Sequence, residues 1–480
     1  MLFYVALLIA QLQTRRPWED EALVANPAWN LANHGSMGTT CLEMIGTNWK
    51  DVDRFTYNTL PAGILNLALW FKLFGCSLIT TRLPSVFWAI LLLASVHRFL
   101  AALGSSHAVA IAATVILAVD YNFILAATFG RVDMMNGALG FAALASYVSL
   151  RGKHLTSALL ISSSLVTLSC LTHPNGLAFF AAFLFLMLYL DRPALRLSHV
   201  VLVTAPMFIA AACWIWYVSQ DPQAALAQLQ ANSSQNRMAG FLNPWKSIVN
   251  EVRNRYLTAF GFPQGEHPAG PLKAKVLVLC AYIMSIAGVL LTSMLRKAAV
   301  TRVLLWLLLI LNVYFFFFEA FKFTYYLVLI VPVYDAILAI YLMHLYRQGA
   351  WPRRVAVAVF LLLTLVQVGG ILLRIRQNQY GRDYLPAVAF LKAEAKPQDL
   401  VFATSDFGFD YGFDRNVKDE FSIGYRSGLA PDYIVMDANY STNMRSWQFI
   451  QPGTYKFMMT RLGAYRLVYD WNNYKIYSRK

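Results

Sequence analysis

Followed position by position, the chain alternates between long apolar runs and short polar connections. An apolar stretch opens it at residues 1–13. Further runs follow at 60–74, 83–101, 108–127, 132–150, 156–172, 177–190, 198–218, 274–295, 303–318, 324–345 and 355–373. A helix rises about 1.5 Å per residue, so runs near twenty residues match a hydrocarbon core of about 30 Å. The pattern therefore predicts an all-α polytopic membrane protein. Two polar stretches, 14–60 and 219–272, are too long for simple turns, and loops of that length usually carry function. Beyond residue 375 short apolar stretches alternate with Gly, Asp and Pro, which predicts a small α/β domain over 376–480. Residues 1–375 are then the transmembrane domain.

Composition supports this division. The 480 residues are 58% hydrophobic and 14% charged, whereas a soluble chain carries about 25% charged residues. The N-terminal run is short for a span and has neither a basic leader nor a small-residue cleavage site, so it reads as a first span cut short rather than a signal peptide. The five cysteines show no metal-ligand spacing and an odd count, which argues against a disulfide framework.

The net charge of +15 would suit nucleic acid, but the basic residues lie in small clusters between apolar runs, where they act as topology signals. One alternate set of short connections holds eleven Lys and Arg, namely Arg98, Arg151, Lys153, Arg192, Arg196, Arg296, Lys297, Arg302, Arg347, Arg353 and Arg354. The opposite short connections between spans hold Arg131 and Lys322. The basic set marks the cytoplasmic side. The 14–60 loop, the 219–272 loop and the C-terminal domain then share the outer side, and parity gives eleven spans with run 60–74 interfacial.

Candidate chemistry gathers on that outer side. Glu19, Asp20 and Glu21 stand at the start of the first loop. Ala22, Leu23, Ala25, Trp29 and Leu31 are spaced as on an amphipathic helix lying on the membrane. Arg131, His173 and Lys322 come from three separate outer connections at one membrane depth, so the topology allows them to converge on one phosphate. Asp133 either joins that site or pairs with Arg131. Asp120 and Asp335 lie within apolar runs, where an ionisable group is costly and usually faces a polar cavity. Asp120 is close enough to the outer end to be a site candidate; Asp335 reads as a structural polar contact. Asp51 and Asp53 read as a solvated pair, and no metal ligands are assigned.

In order along the chain, these features resemble the GT-C glycosyltransferases that use polyprenyl-phosphate sugars, the family of protein O-mannosyltransferases and the lipid A aminoarabinose transferase. The resemblance rests on Asp20-Glu21, the Ala/Asn-rich segment to Gly35, and Tyr57 to Pro61. It continues through Trp70, Phe74, Gly75 and Arg82-Leu83-Pro84-Ser85, then Arg131-Val132-Asp133, Thr172-His173-Pro174 and Lys322 with Tyr325, Tyr326 and Pro332. It covers roughly residues 1–345 and implies a GT-C membrane fold of about eleven spans plus interfacial helices, with the C-terminal α/β domain outside. It also implies transfer of a monosaccharide from a polyprenyl-phosphate donor, undecaprenyl phosphate in a bacterial inner membrane, with inversion at the anomeric carbon. Asp20 would be the general base and Glu21 its orienting partner. Arg131, His173 and Lys322 would hold the donor phosphate, and Tyr57, Asp120, Asp133, Tyr325 and Tyr326 would line the substrate site. No cofactor is implied and a divalent metal is left open. The partners are the lipid-linked donor and membrane lipid, not nucleic acid, and the acceptor is a protein, a lipid or a glycan. The rival from another class is a carrier or flippase for lipid-linked saccharides, which would show broken helices around a mid-membrane site.

Overall fold

The computed structural model describes residues 2–233, 239–262, 273–319 and 321–480. The first helix, α1 (Leu2–Thr14), leads into the first loop, which holds α2 (Glu19–His34). Gly35 ends α2 in a left-handed conformation, φ 74°, as helix-terminating glycines commonly do. The apolar run at 60–74 forms α3 (Pro61–Phe74), started by Pro61. The face of α2 expected to lie on the membrane is instead covered by protein. Ala25 and Ala28 pack with Ile64, Leu67 and Phe71 of α3, and the buried Asn26 and Asn30 bond to the following segment, both to the Thr40 hydroxyl and Asn30 also to the Gly38 carbonyl.

The bundle continues with α4 (Leu78–Ala102), α5 (His107–Val119), α6 (Tyr121–Ala127), α7 (Asp133–Leu150), α8 (Leu155–Thr172), α9 (Gly176–Asp191) and α10 (Leu197–Val218). The run at 108–127 is not one straight helix: α5 and α6 meet at 66°. Asp120 causes the break. Its side chain accepts the Phe123 N–H at 2.9 Å, capping α6, the role for which aspartate is favoured at a helix start. The most buried helix is α7, with 14 of its 18 residues enclosed. A side chain at Gly140 would collide with the Phe179 ring of α9, so the small residue permits the close helix approach typical of membrane interfaces.

The second loop contains α11 (Pro222–Ser233), α12 (Ala239–Leu242) and α13 (Pro244–Asn250), the last continuing as a π-helical segment, Glu251–Leu257. Most of the Pro/Gly-rich stretch of this loop falls at 263–272, outside the described residues. The α13 segment is amphipathic with its sides exchanged. Ser247, Glu251 and Arg255, four apart, face inward and are buried, while Trp245 (75% exposed), Val249 and Val252 face outward, as does Leu242 (82%) at the end of α12. The outward side continues the apolar surface at the end of the helix Ala299–Phe318, since Phe241 meets the Phe317 and Phe318 rings at 5.6 and 4.8 Å. A segment that reads as a polar loop is therefore apolar on the side turned away from the protein.

Next come α14 (Val276–Leu291), α15 (Ser293–Lys297), α16 (Ala299–Phe318), α17 (Val331–Arg347) and α18 (Ala350–Gln377). By length and composition α4, α8, α9, α10, α14, α16 and α18 can each cross a membrane, and the bent pair α5–α6 makes an eighth. The enclosed α7 and α17 run between them. After α18 the C-terminal part forms α19 (Leu385–Glu394), β1 (Val401–Phe402), α20 (Gly408–Tyr411), β2 (Val417–Lys418), β3 (Tyr433–Met436), α21 (Ala438–Ile450), α22 (Pro452–Gly463), β4 (Tyr465–Trp471) and β5 (Tyr474–Arg479). Its five strands stand in the order β2-β1-β3-β5-β4; the first three are parallel, and β5 and β4 are antiparallel additions. This module clamps onto the first loop. Leu42 bridges to Asp419, the Asp419 N–H donates to the Cys41 carbonyl at 2.7 Å, and Arg16 pairs with Asp437 at 3.3 Å.

Candidate active site

Glu21 shows how the first loop is held. It is the third residue of α2, and its carboxylate accepts the Trp18 N–H at 3.1 Å, closing the start of the helix. Arg82 of α4 grips the same carboxylate with two bonds, Nε to Oε1 at 2.8 Å and Nη2 to Oε2 at 2.7 Å. The Gly130 N–H adds a fourth donor at 2.7 Å. Arg82 also donates to the carbonyls of Leu12, Arg15 and Arg16. Both side chains are fully buried. This two-pronged pair thus ties the end of α1, the start of α2, α4 and the turn before α7 into one unit. With every Glu21 oxygen occupied and enclosed, Glu21 has the geometry of a positioning group.

Asp20, one residue earlier, has the opposite character. Its side chain is 29% exposed and pairs with the Arg131 guanidinium. Arg131 also holds Asp133 Oδ2 through Nε at 2.8 Å, and its guanidinium lies 3.9 Å above the Tyr325 ring. Burial opposes its charge, but Asp133 and Asp20 outweigh burial and raise its pKa. Asp133 is the first residue of α7, its Oδ1 buried and without a hydrogen-bond partner among the described residues. That oxygen is an open acceptor beside Arg131.

Tyr325 and Tyr326 stand on a short 3₁₀ segment, Thr324–Leu329, that follows Lys322. Tyr326 Oη lies 3.1 Å from His173 Nε2. His173 Nδ1 accepts the Asn175 N–H, so a neutral imidazole carries its proton on Nε2 and donates it to the phenol. Lys322 adopts a left-handed backbone, φ 58°, and its buried Nζ donates to the Phe315 and Phe316 carbonyls and pairs with Glu251 at 3.1 Å. Arg255 is fully buried between Glu251 and Glu319, 4.7 Å above the Phe315 ring and 5.9 Å from the Tyr326 ring. Five of the expected residues (Asp20, Arg131, Asp133, Tyr325 and Tyr326) are thus linked directly, with His173 and Lys322 joined through the same segment.

Two expected residues fall elsewhere. Tyr57 packs with Phe55, Trp214 and Tyr217, away from Asp20 in an aromatic cluster against α10 and α11. Asp120 lies deep between α5 and α6, its Oδ2 3.2 Å from the Tyr282 hydroxyl, which also lies 2.8 Å from Asp335 Oδ1. Both expectations placed single residues by their order in the chain, and packing separates them from the acidic loop. Among the described residues no cluster of three His, Cys, Asp or Glu is arranged to hold a metal ion.

No protein-family model and no curated protein sequence matches the chain. Solved structures do. The structure of ArnT from Cupriavidus metallidurans bound to undecaprenyl phosphate is similar, with a TM-score of 0.58 at 12% identity, over 99% of this chain and 96% of that one. The oligosaccharyltransferase of Archaeoglobus fulgidus matches with a TM-score of 0.56 at 13% identity, over 99% of this chain and 74% of that one. The archaeal enzyme AglB in complex with an inhibitory peptide and a dolichol-phosphate matches at 0.53 and 14%. The chain has the GT-C fold.

Within this GT-C fold, sequence reasoning missed the residues that are buried rather than displayed. Arg82 stood in a quoted segment but had no role. Gly130, whose N–H reaches Glu21, could not carry a side chain without meeting Glu21 Oε1 at 3.1 Å and the Thr81 methyl at 2.6 Å. Glu251 and Arg255 were four apart in a stretch read as loop, and that helical spacing was the available signal.

Proposed function

We propose that this protein is a membrane glycosyltransferase that moves a monosaccharide from a polyprenyl-phosphate donor to an acceptor hydroxyl at the outer face of the membrane. The observation that carries the reading is the Arg131 arrangement. One cation stands between an accessible carboxylate, Asp20, and an enclosed one, Asp133, over the Tyr325 ring. The GT-C fold, shared with proteins bound to undecaprenyl phosphate or dolichol-phosphate, supports a lipid-phosphate donor. The acceptor is a protein, a lipid or a glycan.

In this reading the donor phosphate competes with Asp20 for Arg131, and His173 and Lys322 add positive or hydrogen-bonding groups from the neighbouring connections. Asp20, released from its ion pair, then takes the proton of the acceptor hydroxyl. The acceptor oxygen bonds to the anomeric carbon as the carbon–phosphate oxygen bond breaks on the opposite face. The polyprenyl phosphate leaves with the bonding electrons, and the anomeric centre inverts. Asp133, Tyr325 and Tyr326 line the sugar, with Asp133 Oδ1 accepting a sugar hydroxyl. Glu21 keeps Asp20 in place. Eleven spans with both long loops and the C-terminal module outside, in a bacterial inner membrane, complete the proposal.

Asp20→Asn tests it directly. The variant keeps its shape, inserts normally and loses transfer by about 10²-fold or more, the scale of a lost general base. Near-normal turnover by Asp20→Asn removes the assigned role. The break at Asp120, with a second carboxylate nearby, is the feature a saccharide carrier would use. Flux of lipid-linked saccharide across reconstituted vesicles, without any change of glycosidic linkage, would favour that reading.

A further inference from the structure

Among the described residues of the outer half, four enclosed cations each have a carboxylate. Arg82 has Glu21, Arg131 has Asp20 and Asp133, Arg255 has Glu251 and Glu319, and Lys322 has Glu251. Three others, the buried Lys275 and the half-buried Arg15 and Arg374, have no carboxylate partner among the described residues and share one place. Arg15, from the end of α1, donates to the Leu125 carbonyl at 3.1 Å and lies 4.0 Å over the Phe129 ring. Arg374, from the last turn of α18, donates through Nε to the Tyr121 hydroxyl. Lys275, at the start of α14 and 5% exposed, donates to the Ala259 carbonyl at 2.6 Å and stands 4.3 Å from the Tyr121 ring centre. Among the described residues, the side-chain partners of all three are carbonyls, rings and one phenol.

The described acids that act on Arg15 and Lys275, Glu21 and Asp120, are already committed. Glu21 is taken up by Arg82, and Asp120 is occupied by the Phe123 N–H and Tyr282. Burial, with Arg82 and Arg374 close by, pushes the Arg15 pKa down to about 9 despite the attraction of Glu21, so Arg15 is still charged at neutral pH. The carboxyl ends of α1 and α18 help, but two helix ends supply roughly one negative charge together against three positive ones. A buried lysine beside two half-buried arginines, with no carboxylate partner among the described residues, is costly. These residues stand at the ends of α1 and α18 and the start of α14, which the proposed topology puts at headgroup depth on the outer side.

We propose that Arg15, Lys275 and Arg374 form a second anion site, separate from the Arg131 cluster, that takes the phosphate headgroup of a lipid. Phosphate suits it because three donors from three elements can surround a tetrahedral oxyanion while the Tyr121 and Phe129 rings support the cations from behind. The Phe129 ring lies between the two sites: Arg15 is 4.0 Å from its centre and Arg131 5.9 Å. The site concerns phosphate recognition only and stands whether or not Asp20 is a base.

The test uses the full chain in phosphatidylcholine nanodiscs, with and without phosphatidic acid, whose headgroup is a phosphate monoester. Thermal unfolding and native mass spectrometry of retained lipid are the readouts. Phosphatidic acid should raise the unfolding temperature of the wild-type chain and remain bound. Arg374→Gln and Lys275→Gln should each weaken this binding about tenfold or more, the effect of one lost charge-assisted bond. Arg374→Lys, which keeps the charge, should retain most of it and serves if the neutral variant does not fold. Arg131→Ala should bind phosphatidic acid like wild type, and Arg374→Gln should leave the donor KM unchanged. Displacement by inorganic phosphate supports a site that reads phosphate alone, and resistance to displacement supports one that needs the whole lipid. No stabilisation of wild type by either probe, or equal stabilisation of Arg374→Gln, overturns the proposal.

Discussion

Replacing Arg82 by Met would test whether the first loop is held from beneath. The substitution keeps most of the side-chain volume and removes the charge. Glu21 would retain the Gly130 and Trp18 N–H groups, at 2.7 and 3.1 Å, and lose both bonds from Arg82. The carbonyls of Leu12, Arg15 and Arg16 would lose their shared donor. A carboxylate left enclosed without its partner costs about 3–5 kcal/mol. A carbonyl left dry adds about 1–3 kcal/mol, unless water reaches it. Glu21→Leu alone strands the Arg82 charge and should cost a similar amount. The double variant Arg82→Met/Glu21→Leu strands neither charge, so its loss should fall below the sum of the single losses by about 2 kcal/mol or more. Unfolding of nanodisc-embedded protein followed by tryptophan fluorescence measures all three, and sugar transfer is assayed on the folded fraction. Because Glu21 acts through position, the double variant should regain stability without regaining transfer. An Arg82→Met protein within about 0.5 kcal/mol of wild type, the range of an ordinary surface change, would refute the reasoning. So would strict additivity of the two single changes.

Arg131→Ala and Lys322→Ala should each raise the KM for the lipid donor, and the double variant should be non-additive because both contact one phosphate; unchanged KM in both ends the clamp. Attachment of the C-terminal module to the first loop should weaken as pH rises. Burial, reinforced by nearby acids, raises Asp406 from 3.8 to about 7 and Asp419 from 3.8 to about 6, so the folded state holds more protons than the unfolded one between about pH 4 and 7. The stabilisation is present in full at the acid end of that window and falls by up to about 1.4 kcal/mol per pH unit per group toward neutrality. Hydrogen exchange of residues 400–440 from pH 5 to 8 should show this loss, and Asp406→Asn should flatten it. A cysteine at Gly152 should be shielded from an impermeant outside reagent while one at Ser441 is labelled; the reverse overturns the proposed orientation.

What could be read from sequence follows from what leaves a periodic trace. Long apolar runs announced the helices, and the change beyond residue 375 announced the strands, because both depend on local composition. The Arg131–Asp133 neighbourhood was legible because both residues sit in one short turn. The Glu21–Arg82 pair joins positions 61 residues apart, and no local pattern encodes such a meeting. The bend at Asp120 was hidden because its flanks are as apolar as a continuous span, although an aspartate three residues before the Phe123 N–H that it accepts was a cap in plain view. The apolar face of α2 was legible as a face, but composition cannot say whether lipid or α3 covers it.

The helix with exchanged sides, running on from Pro244 to Leu257, makes the surrounding lipid part of the mechanics of the protein. Lipid removal by a harsh detergent would turn Trp245, Val249 and Val252 toward water, at about 25 cal/mol for each Å² of apolar surface. The resulting torque favours rolling the helix until those residues are sheltered. Its opposite side carries Glu251 and Arg255, so any roll would pull them from Lys322 and Glu319. Loss of greasy contact on the outside would thus be transmitted as broken ion pairs on the inside, within a few ångströms of the Tyr326 ring.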